Sequence, residues 1–151
     1  MPRSYSFVIE RRGRASADQA FALIRDAEAW VRWAGPPITY SAWKEGGSLD
    51  GSVVGRTRLV GNARFPAAEE ITVDEAPHTH GYRIPAKWPV RDYSSIVNFA
   101  EDPSGELTVR WSGQFTERIP GTGYLWRGFL HRFLGRLAER LIAHAGATPT
   151  P

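Results

Sequence analysis

The last long segment of the chain, GYLWRGFLHRFLGRLAERLIAHA at residues 123–145, constrains the fold more than any other feature. Its apolar residues recur every three or four positions, which is the pattern of an amphipathic helix. They form two adjacent rows: Leu125, Phe129, Phe133, Leu137 and Leu141, and Trp126, Leu130, Leu134, Ala138 and Ile142. The opposite side is predicted to carry Gly128, Arg132, Gly135 and Glu139. A helix of this size is about 30 Å long, and its wide apolar stripe must be covered by the rest of the molecule.

The segment before this helix predicts a β-strand that is buried on one side only. In GELTVRWSGQFTE, polar residues alternate with a second set, which consists of Leu107, Val109, Trp111, Gly113 and Phe115. Strict alternation is typical of an antiparallel sheet with one face toward the core. Short runs between Ile38 and Glu117, separated by glycine and proline turns, predict six strands in all. SYSFVIERRGR predicts a further strand at the start of the chain.

Two short helices are predicted after this first strand. Ser16 and Gln19 have the spacing of a capping box, in which each side chain accepts from a backbone amide of the other end of the turn. The helix that begins there is expected to break near Asp26 and to resume as far as Trp33. The sequence Gly-Pro-Pro at residues 35–37 then ends it, because proline is not tolerated inside a helix.

Bulk properties limit the class of protein. The chain has 151 residues, of which 42% are apolar and 23% are charged, as in an ordinary globular domain. Its net charge of +3 is scattered along the chain and does not predict a nucleic-acid surface. No apolar run approaches the roughly 20 residues of a membrane-spanning helix, and the N-terminus lacks the apolar run of a signal peptide. We expect a cytoplasmic protein with no nucleic-acid partner and no stable membrane insertion.

The sequence carries no established signature of catalysis or metal binding. There is no cysteine and no GxSxG motif. His78 and His80 have the spacing of two ligands on a strand, but PHTHG is typical of a solvent-exposed turn. No cofactor and no metal site are therefore predicted.

A one-sided sheet that wraps a long helix leaves a space between the two. The residues predicted to face this space include few aliphatic ones and are instead Trp111, Tyr93, Tyr82, Gly113, Ser95 and Glu69. Glu69 shares strand parity with Ile71 and Val73, so its carboxylate is expected to point inward. Burial raises the pKa of a carboxyl group unless a cation pairs with it, and Arg58 on the preceding strand is the preferred partner.

Two interpretations of Glu69 follow from this placement. It is either structural, in an ion pair or at an edge position where the carboxylate reaches water, or it is an acid, base or polar anchor for a ligand, and the sequence leaves both open. Glu69 is therefore the catalytic candidate that we name first.

The order of elements resembles that of the SRPBCC superfamily, which includes the START and polyketide cyclase/dehydrase-like proteins. The resemblance covers about residues 5–145 and rests on four segments, ASADQAFALIRDAEAWVRWAG, GRTRLV, EEITVDEAPHTHGYRI and ELTVRWSGQF. It implies an α+β helix-grip fold, a seven-stranded curved antiparallel sheet wrapped around the C-terminal helix, with two short helices after strand 1. We expect a single domain over residues 1–146 and a disordered tail over 147–151.

The resemblance also implies an apolar cavity whose mouth is formed by the short helices and a neighbouring loop. The tryptophan-rich stretch WVRWAGPPITYSAW at residues 30–43 is then expected to form one wall of this mouth, unless its tryptophans only fill the gap between helices and sheet. The candidate ligand-binding residues are Trp30, Trp33, Tyr40, Trp43, Arg58, Glu69, Tyr82, Tyr93, Trp111, Phe115, Trp126, Phe129 and Phe133.

Two functions from different classes are compatible with these residues. The first is binding, transport or sensing of a hydrophobic small molecule such as a lipid or polyketide. The second is a polyketide aromatase/cyclase-type enzyme that folds a reactive polyketide and moves protons with Glu69, Tyr93 or an arginine. The oligomeric state is left open between a monomer and a homodimer.

Overall fold

In the computed structural model, which describes residues 1–85 and 89–147, the described strands form one antiparallel sheet. The strands are β1 (Ser4–Arg14), β2 (Tyr40–Trp43), β3 (Thr57–Gly61), β4 (Ala67–Glu75), β5 (Thr79–Ile84), β6 (Val90–Glu101) and β7 (Glu106–Glu117). Their order across the sheet is β1-β7-β6-β5-β4-β3-β2, and every neighbouring pair is antiparallel. The predicted seven-stranded curved sheet is confirmed.

The register of β7 also agrees with the sequence pattern. Leu107, Val109, Trp111 and Phe115 are buried, whereas Arg110 on the other face is exposed. β7 pairs with β1 on one side and with β6 on the other, so that Trp111 lies opposite Ile9 and Val97. The inward direction of every other candidate residue depends on this register, because a shift by one residue would reverse the two faces.

Two short helices follow β1, as predicted. α1 (Ala17–Arg25) begins after Ser16, whose hydroxyl accepts a hydrogen bond from the Gln19 amide at 3.0 Å. The helix ends at Asp26, and a 3₁₀ turn (Ala27–Ala29) leads into α2 (Trp30–Trp33). The predicted break at Asp26 is therefore confirmed.

The long helix α3 (Gly123–Ala147) packs along β1 at the edge of the sheet. Four glycines allow this close approach, since a Cβ at each would collide with the opposite element. A Cβ at Gly123 would lie 1.9 Å from the Tyr5 ring, one at Gly135 2.5 Å from Arg11, one at Gly146 2.4 Å from the Arg14 carbonyl, and one at Gly13 2.5 Å from Ile142.

The orientation of α3 corrects two expectations for its surface. Gly135 was expected on the solvent side but is buried, because this side of the helix rests on β1. Leu125 and Phe129 were expected in the buried stripe but are 60% and 49% exposed. Only the later part of the stripe, from Leu130 to Ala145, supplies the buried residues of the helix apart from Gly123.

Glu117 connects the start of α3 to the sheet through hydrogen bonds. Its carboxylate accepts hydrogen bonds from the amides of Gly123 and Gly121 at 2.9 and 3.1 Å and from the Arg3 amide at 3.0 Å. Burial alone would raise the pKa of this carboxyl group, but these amide donors outweigh it and hold the pKa below its usual value. The end of β7, the loop after it and the first turn of α3 thus share one buried anion.

Two sequence expectations fall largely outside the described residues. The predicted tail over 147–151 lies beyond them except for Ala147, which is the last residue of α3. Most of the connection PAKWP between β5 and β6 also lies outside them.

Candidate ligand cavity

A cavity of about 200 Å³ lies between α3 and strands β3 to β6. Most of its wall is apolar, which favours a hydrophobic occupant. The residues that line it are Trp30, Pro37, Ile38, Val60, Gly61, Phe65, Ala67, Glu69, Tyr82, Ile84, Tyr93, Phe129, Leu130, Phe133, Leu134 and Leu137.

Three polar side chains interrupt this apolar wall, namely Glu69, Tyr82 and Tyr93. The hydroxyl groups of Tyr82 and Tyr93 are 3.0 Å apart, and the indole N–H of Trp111 donates to the Tyr82 oxygen at 3.3 Å. Burial raises the pKa of both tyrosines, and the nearby Glu69 carboxylate adds to the effect. The two phenols therefore stay protonated at neutral pH and keep their hydroxyl groups in the same cavity wall as Glu69.

Glu69 is held by Arg58, as the sequence predicted. The two residues are directly opposite each other on β4 and β3. Arg58 Nε lies 2.8 Å and Nη2 2.7 Å from the same oxygen, Glu69 Oε1. Burial raises the pKa of Glu69, while the charge and the hydrogen bond of Arg58 partly oppose this effect.

Arg58 is completely buried, and its remaining contacts fix its position behind the cavity wall. Its Nη1 donates to the carbonyl of Ile24 at 2.8 Å, and the guanidinium lies 4.5 Å from the centre of the Trp30 ring. Such cation–π contacts are strongest where water is excluded. Arg58 does not line the cavity itself, but it contacts Glu69 and Trp30, which do.

His80 belongs to the same buried cluster, and its predicted position was wrong. His78 is exposed, but His80 lies within β5 and has no exposed surface. Its Nε2 is 3.1 Å from Arg58 Nη1 and must accept, because a guanidinium only donates. Nδ1 therefore carries the proton, and it has no hydrogen-bond partner among the described residues.

Burial lowers the pKa of His80 well below its usual value, and the charges of Arg58 and Arg25 lower it further. His80 is thus a neutral acceptor for Arg58. Among the residues that the structure describes, no group of three or more acidic or histidine side chains is placed to hold a metal ion.

The tryptophan-rich stretch divides between the cavity and the core. Trp30 lines the cavity, whereas Trp33 and Trp43 are buried away from it, and Tyr40 is half-buried. The indole N–H groups of Trp30 and Trp33 donate to the carbonyls of Ile24 and Leu23 at 2.9 and 3.2 Å. These carbonyls belong to the last turn of α1, where no helical partner remains for them.

The other predicted aromatic residues are also distributed over several places. Phe129 and Phe133 line the cavity, with their rings stacked at 5.6 Å. Trp111 lies behind Tyr82, and Phe115 is buried against Tyr5. Trp126 lines a separate, more open groove near the start of α3. The contact of each candidate residue with a ligand stays a prediction.

Sequence reasoning missed the aliphatic part of the wall. Its members are Ile38, Val60, Ile84, Leu130, Leu134 and Leu137. Leu130, Leu134 and Leu137 were recognised as part of the apolar stripe of α3, but periodicity cannot separate a residue that faces a cavity from one that faces packed core. The exposed Phe65, in the loop between β3 and β4, also lines the cavity without any signal in its local sequence.

A family model described as polyketide cyclase/dehydrase and lipid transport matches residues 5–144 of the chain. The protein belongs to this family. Membership in the polyketide cyclase/dehydrase and lipid transport family confirms the resemblance to the SRPBCC superfamily that was inferred from the sequence. No curated protein matches the sequence.

Solved structures show that the fold of this family member is shared widely. The protein XoxI from Bacillus cereus has 23% sequence identity and a TM-score of 0.71, with 94% of each chain covered. A truncated norcoclaurine synthase from Thalictrum flavum has 11% identity and a TM-score of 0.73, covering 98% of this chain and 97% of that one. Major latex-like protein 151 from Panax ginseng has 17% identity and a TM-score of 0.72, covering 97% and 99%. At these identities the likeness establishes the fold alone.

The described part of the chain contains no helix of the length and apolar character needed to cross a membrane.

Proposed function

We propose that this protein binds one small hydrophobic molecule that carries a hydroxyl or carbonyl group. The observation that carries the proposal is the cavity of about 200 Å³, in which an apolar wall meets Glu69, Tyr82 and Tyr93. The family description, which names lipid transport, supports a role in carrying or sensing such a molecule. Location in the cytoplasm and assembly into a homodimer stay predictions.

The size of the cavity limits the ligand. Pockets for drug-sized ligands usually measure about 300–1,000 Å³, whereas an apolar cavity of about 150 Å³ is known to hold benzene. A volume of about 200 Å³ therefore suits a molecule with one or two rings or a short aliphatic chain. Two fused rings with one hydroxyl group, as in 2-naphthol, make a suitable probe.

The first test fills the cavity with a larger side chain. Val60 lines the cavity and is buried, whereas Val8 on β1 is 44% exposed. In calorimetric titrations, we expect wild-type protein and V8F to bind 2-naphthol and V60F to bind it much more weakly. Melting curves would check that both variants are folded. Equal binding by V60F and V8F would place the probe elsewhere and contradict the proposal.

A second test addresses the polar side of the cavity. Y93F removes one hydroxyl group but keeps the ring, so the affinity for 2-naphthol should fall toward the affinity for naphthalene, which cannot form hydrogen bonds. The loss should be about fivefold, because one such bond contributes about 1 kcal/mol. If Glu69 is a ligand anchor, E69Q should also change the ratio of the affinity for 2-naphthol to the affinity for naphthalene. If Glu69 is only a structural ion, E69Q should lower the melting temperature and leave the ratio unchanged.

One observation supports an enzymatic alternative of the aromatase/cyclase type. Glu69 has a raised pKa and lies in the same cavity as two protonated phenols, an arrangement that can exchange protons with an enolisable ketone. We expect the wild-type enzyme to accelerate cyclisation of a short poly-β-ketone and E69Q to abolish the effect. The absence of acceleration by wild-type protein would remove this alternative and leave the binding proposal intact.

A further inference from the structure

We propose that Arg132 and Arg136 form an anion-binding site at the mouth of the cavity, for a carboxylate or phosphate group on the same ligand. The inference rests on the proposed function and narrows it to amphiphilic ligands. The apolar part would occupy the cavity, and the anionic group would remain outside between the two guanidinium groups.

The first observation is a second depression that adjoins the cavity. It measures about 140 Å³, and Pro37, Phe129, Phe133 and Leu137 line both it and the cavity. These shared residues place the depression directly beside the cavity, where the proposed anionic group would lie.

The second observation is the charge of this depression. The charged residues that line it are Arg132, Arg136 and Arg140, and the lining contains no acidic residue. The three arginines are four residues apart along α3, so neighbouring ones are about 6 Å apart along the helix axis. Like charges at this spacing destabilise a helix. No carboxylate among the described residues of the depression neutralises the three arginines. An anionic group of the ligand would supply the missing negative charge.

The bonding of the arginines divides their roles. Arg140 donates to the carbonyls of Ala34 and Pro36 at 2.6 and 3.1 Å and so holds the loop after α2 against α3. Arg132 and Arg136 are exposed and form no ion pair or hydrogen bond with the other described residues. Guanidinium groups bind carboxylate and phosphate in a two-pronged geometry. The guanidinium groups of Arg132 and Arg136 can therefore bind a carboxylate or phosphate group in this geometry.

The inner end of the cavity determines the orientation of the ligand. The wall of the cavity is mostly apolar and contains no basic residue among those described, and its one acidic group, Glu69, is already paired with Arg58, whereas Arg132 and Arg136 are exposed. An anionic ligand consequently enters with its apolar end first. A hydroxyl or carbonyl group at that end would reach the two tyrosines.

The experiment compares three probes that share one ring system, 2-naphthol, 2-naphthoate and 2-naphthyl phosphate. Calorimetric titrations would give the ratio of each anion's affinity to that of 2-naphthol. In wild-type protein we expect a ratio of about ten or more for at least one anion, because two guanidinium groups can each bind it through paired, charge-assisted hydrogen bonds. The larger ratio identifies the group, carboxylate or phosphate, that fits better.

Two double variants then locate the origin of this preference. In R132Q/R136Q the ratio should fall close to one. R12Q/R110Q removes the same number of charges from exposed strand positions and should keep the wild-type ratio. A ratio near one in wild-type protein, or an equal ratio in both double variants, would overturn the inference. If 2-naphthol itself fails to bind wild-type protein, the proposed function fails instead.

Discussion

Trp30 and Arg58 share one backbone acceptor, the carbonyl of Ile24 at the end of α1. The indole N–H donates to it at 2.9 Å and the guanidinium Nη1 at 2.8 Å, while the guanidinium lies over the indole ring. Trp30, which lines the cavity, is thus attached to the end of α1 both by its own hydrogen bond and through Arg58.

Replacement of Arg58 tests how much this buried ion pair stabilises the fold. R58M leaves Glu69 without a counter-charge, and breaking a buried pair in this way costs about 3–5 kcal/mol. We expect the free energy of unfolding, measured in urea, to fall by about 3 kcal/mol. The pKa of Glu69 should rise further, because the opposing effect of Arg58 is lost.

The double variant R58M/E69L is the control for this loss. Removing both charges leaves no unpaired ion, so part of the lost stability should return. A double variant as unstable as the sum of the two single variants would show that the pair contributes no coupling energy.

His80 is expected to make the protein sensitive to mild acid. The histidine of the unfolded chain takes up a proton near pH 6.5, whereas burial holds the pKa of the folded form well below this value. Below about pH 6.5 the unfolded state therefore binds more protons, and the free energy of unfolding should fall by up to about 1.4 kcal/mol per pH unit. The raised pKa of Glu69 acts in the opposite direction, since it favours the folded state as the pH falls toward 4.5.

Urea titrations of H80N and H78N between pH 7 and 5.5 separate these effects. H80N should show a smaller dependence of stability on pH than wild-type protein. H78N changes an exposed histidine two residues away and should keep the wild-type dependence. Equal slopes for the two variants would contradict the assignment to His80.

The contact between β1 and α3 predicts opposite effects for two glycine variants of the same helix. In G123A the new methyl group meets the Tyr5 ring, which cannot easily move because it stacks on Phe115 at 5.6 Å. We expect a loss of about 1–3 kcal/mol in the free energy of unfolding. In G128A the methyl group meets nothing within 4 Å, and the better helix propensity of alanine should add about 0.5–1 kcal/mol. A stable G123A would show that the contact is looser than described.

Arg140 is expected to control the rate of ligand exchange. R140M removes both hydrogen bonds that hold the loop after α2 against α3. The loop should then open more often, and NMR line shapes should report a higher dissociation rate for 2-naphthol. R32M alters an exposed arginine on α2 and serves as the matched control. Unchanged dissociation in R140M would move the entrance to another part of the wall.

The sequence predicted the fold well because its signals are periodic. The alternation around Trp111 fixed the faces of the sheet, and the stripe of α3 fixed the helix that covers it. Parity with Ile71 predicted that Glu69 points inward, and Arg58 was chosen as its partner because it lies one strand back. The β3–β4 register confirms that the two residues face each other.

The details of the cavity depended on information that local patterns do not contain. His80 was assigned to a turn because its neighbours are turn-forming residues, but β5 begins at Thr79 and extends under α1. Trp30, Trp33 and Trp43 belong to one tryptophan-rich stretch, but only the tertiary packing of α2 and β2 decides that Trp30 alone of the three lines the cavity. Arg132 is exposed, as expected, but the helix pattern could not show that Pro36 and Pro37 form a depression beside it.

The glycines between β1 and α3 also determine how the cavity can discriminate between ligands. Gly146 faces the main chain of Arg14, and Gly13 and Gly123 face the packed side chains of Ile142 and Tyr5. We therefore expect α3 to shift little on β1, and the gap between helix and sheet to widen little for a larger ligand. Such a gap selects ligands by an upper limit on their size. In a homologous series of ligands, affinity should increase with each added carbon up to a limiting size and then drop abruptly.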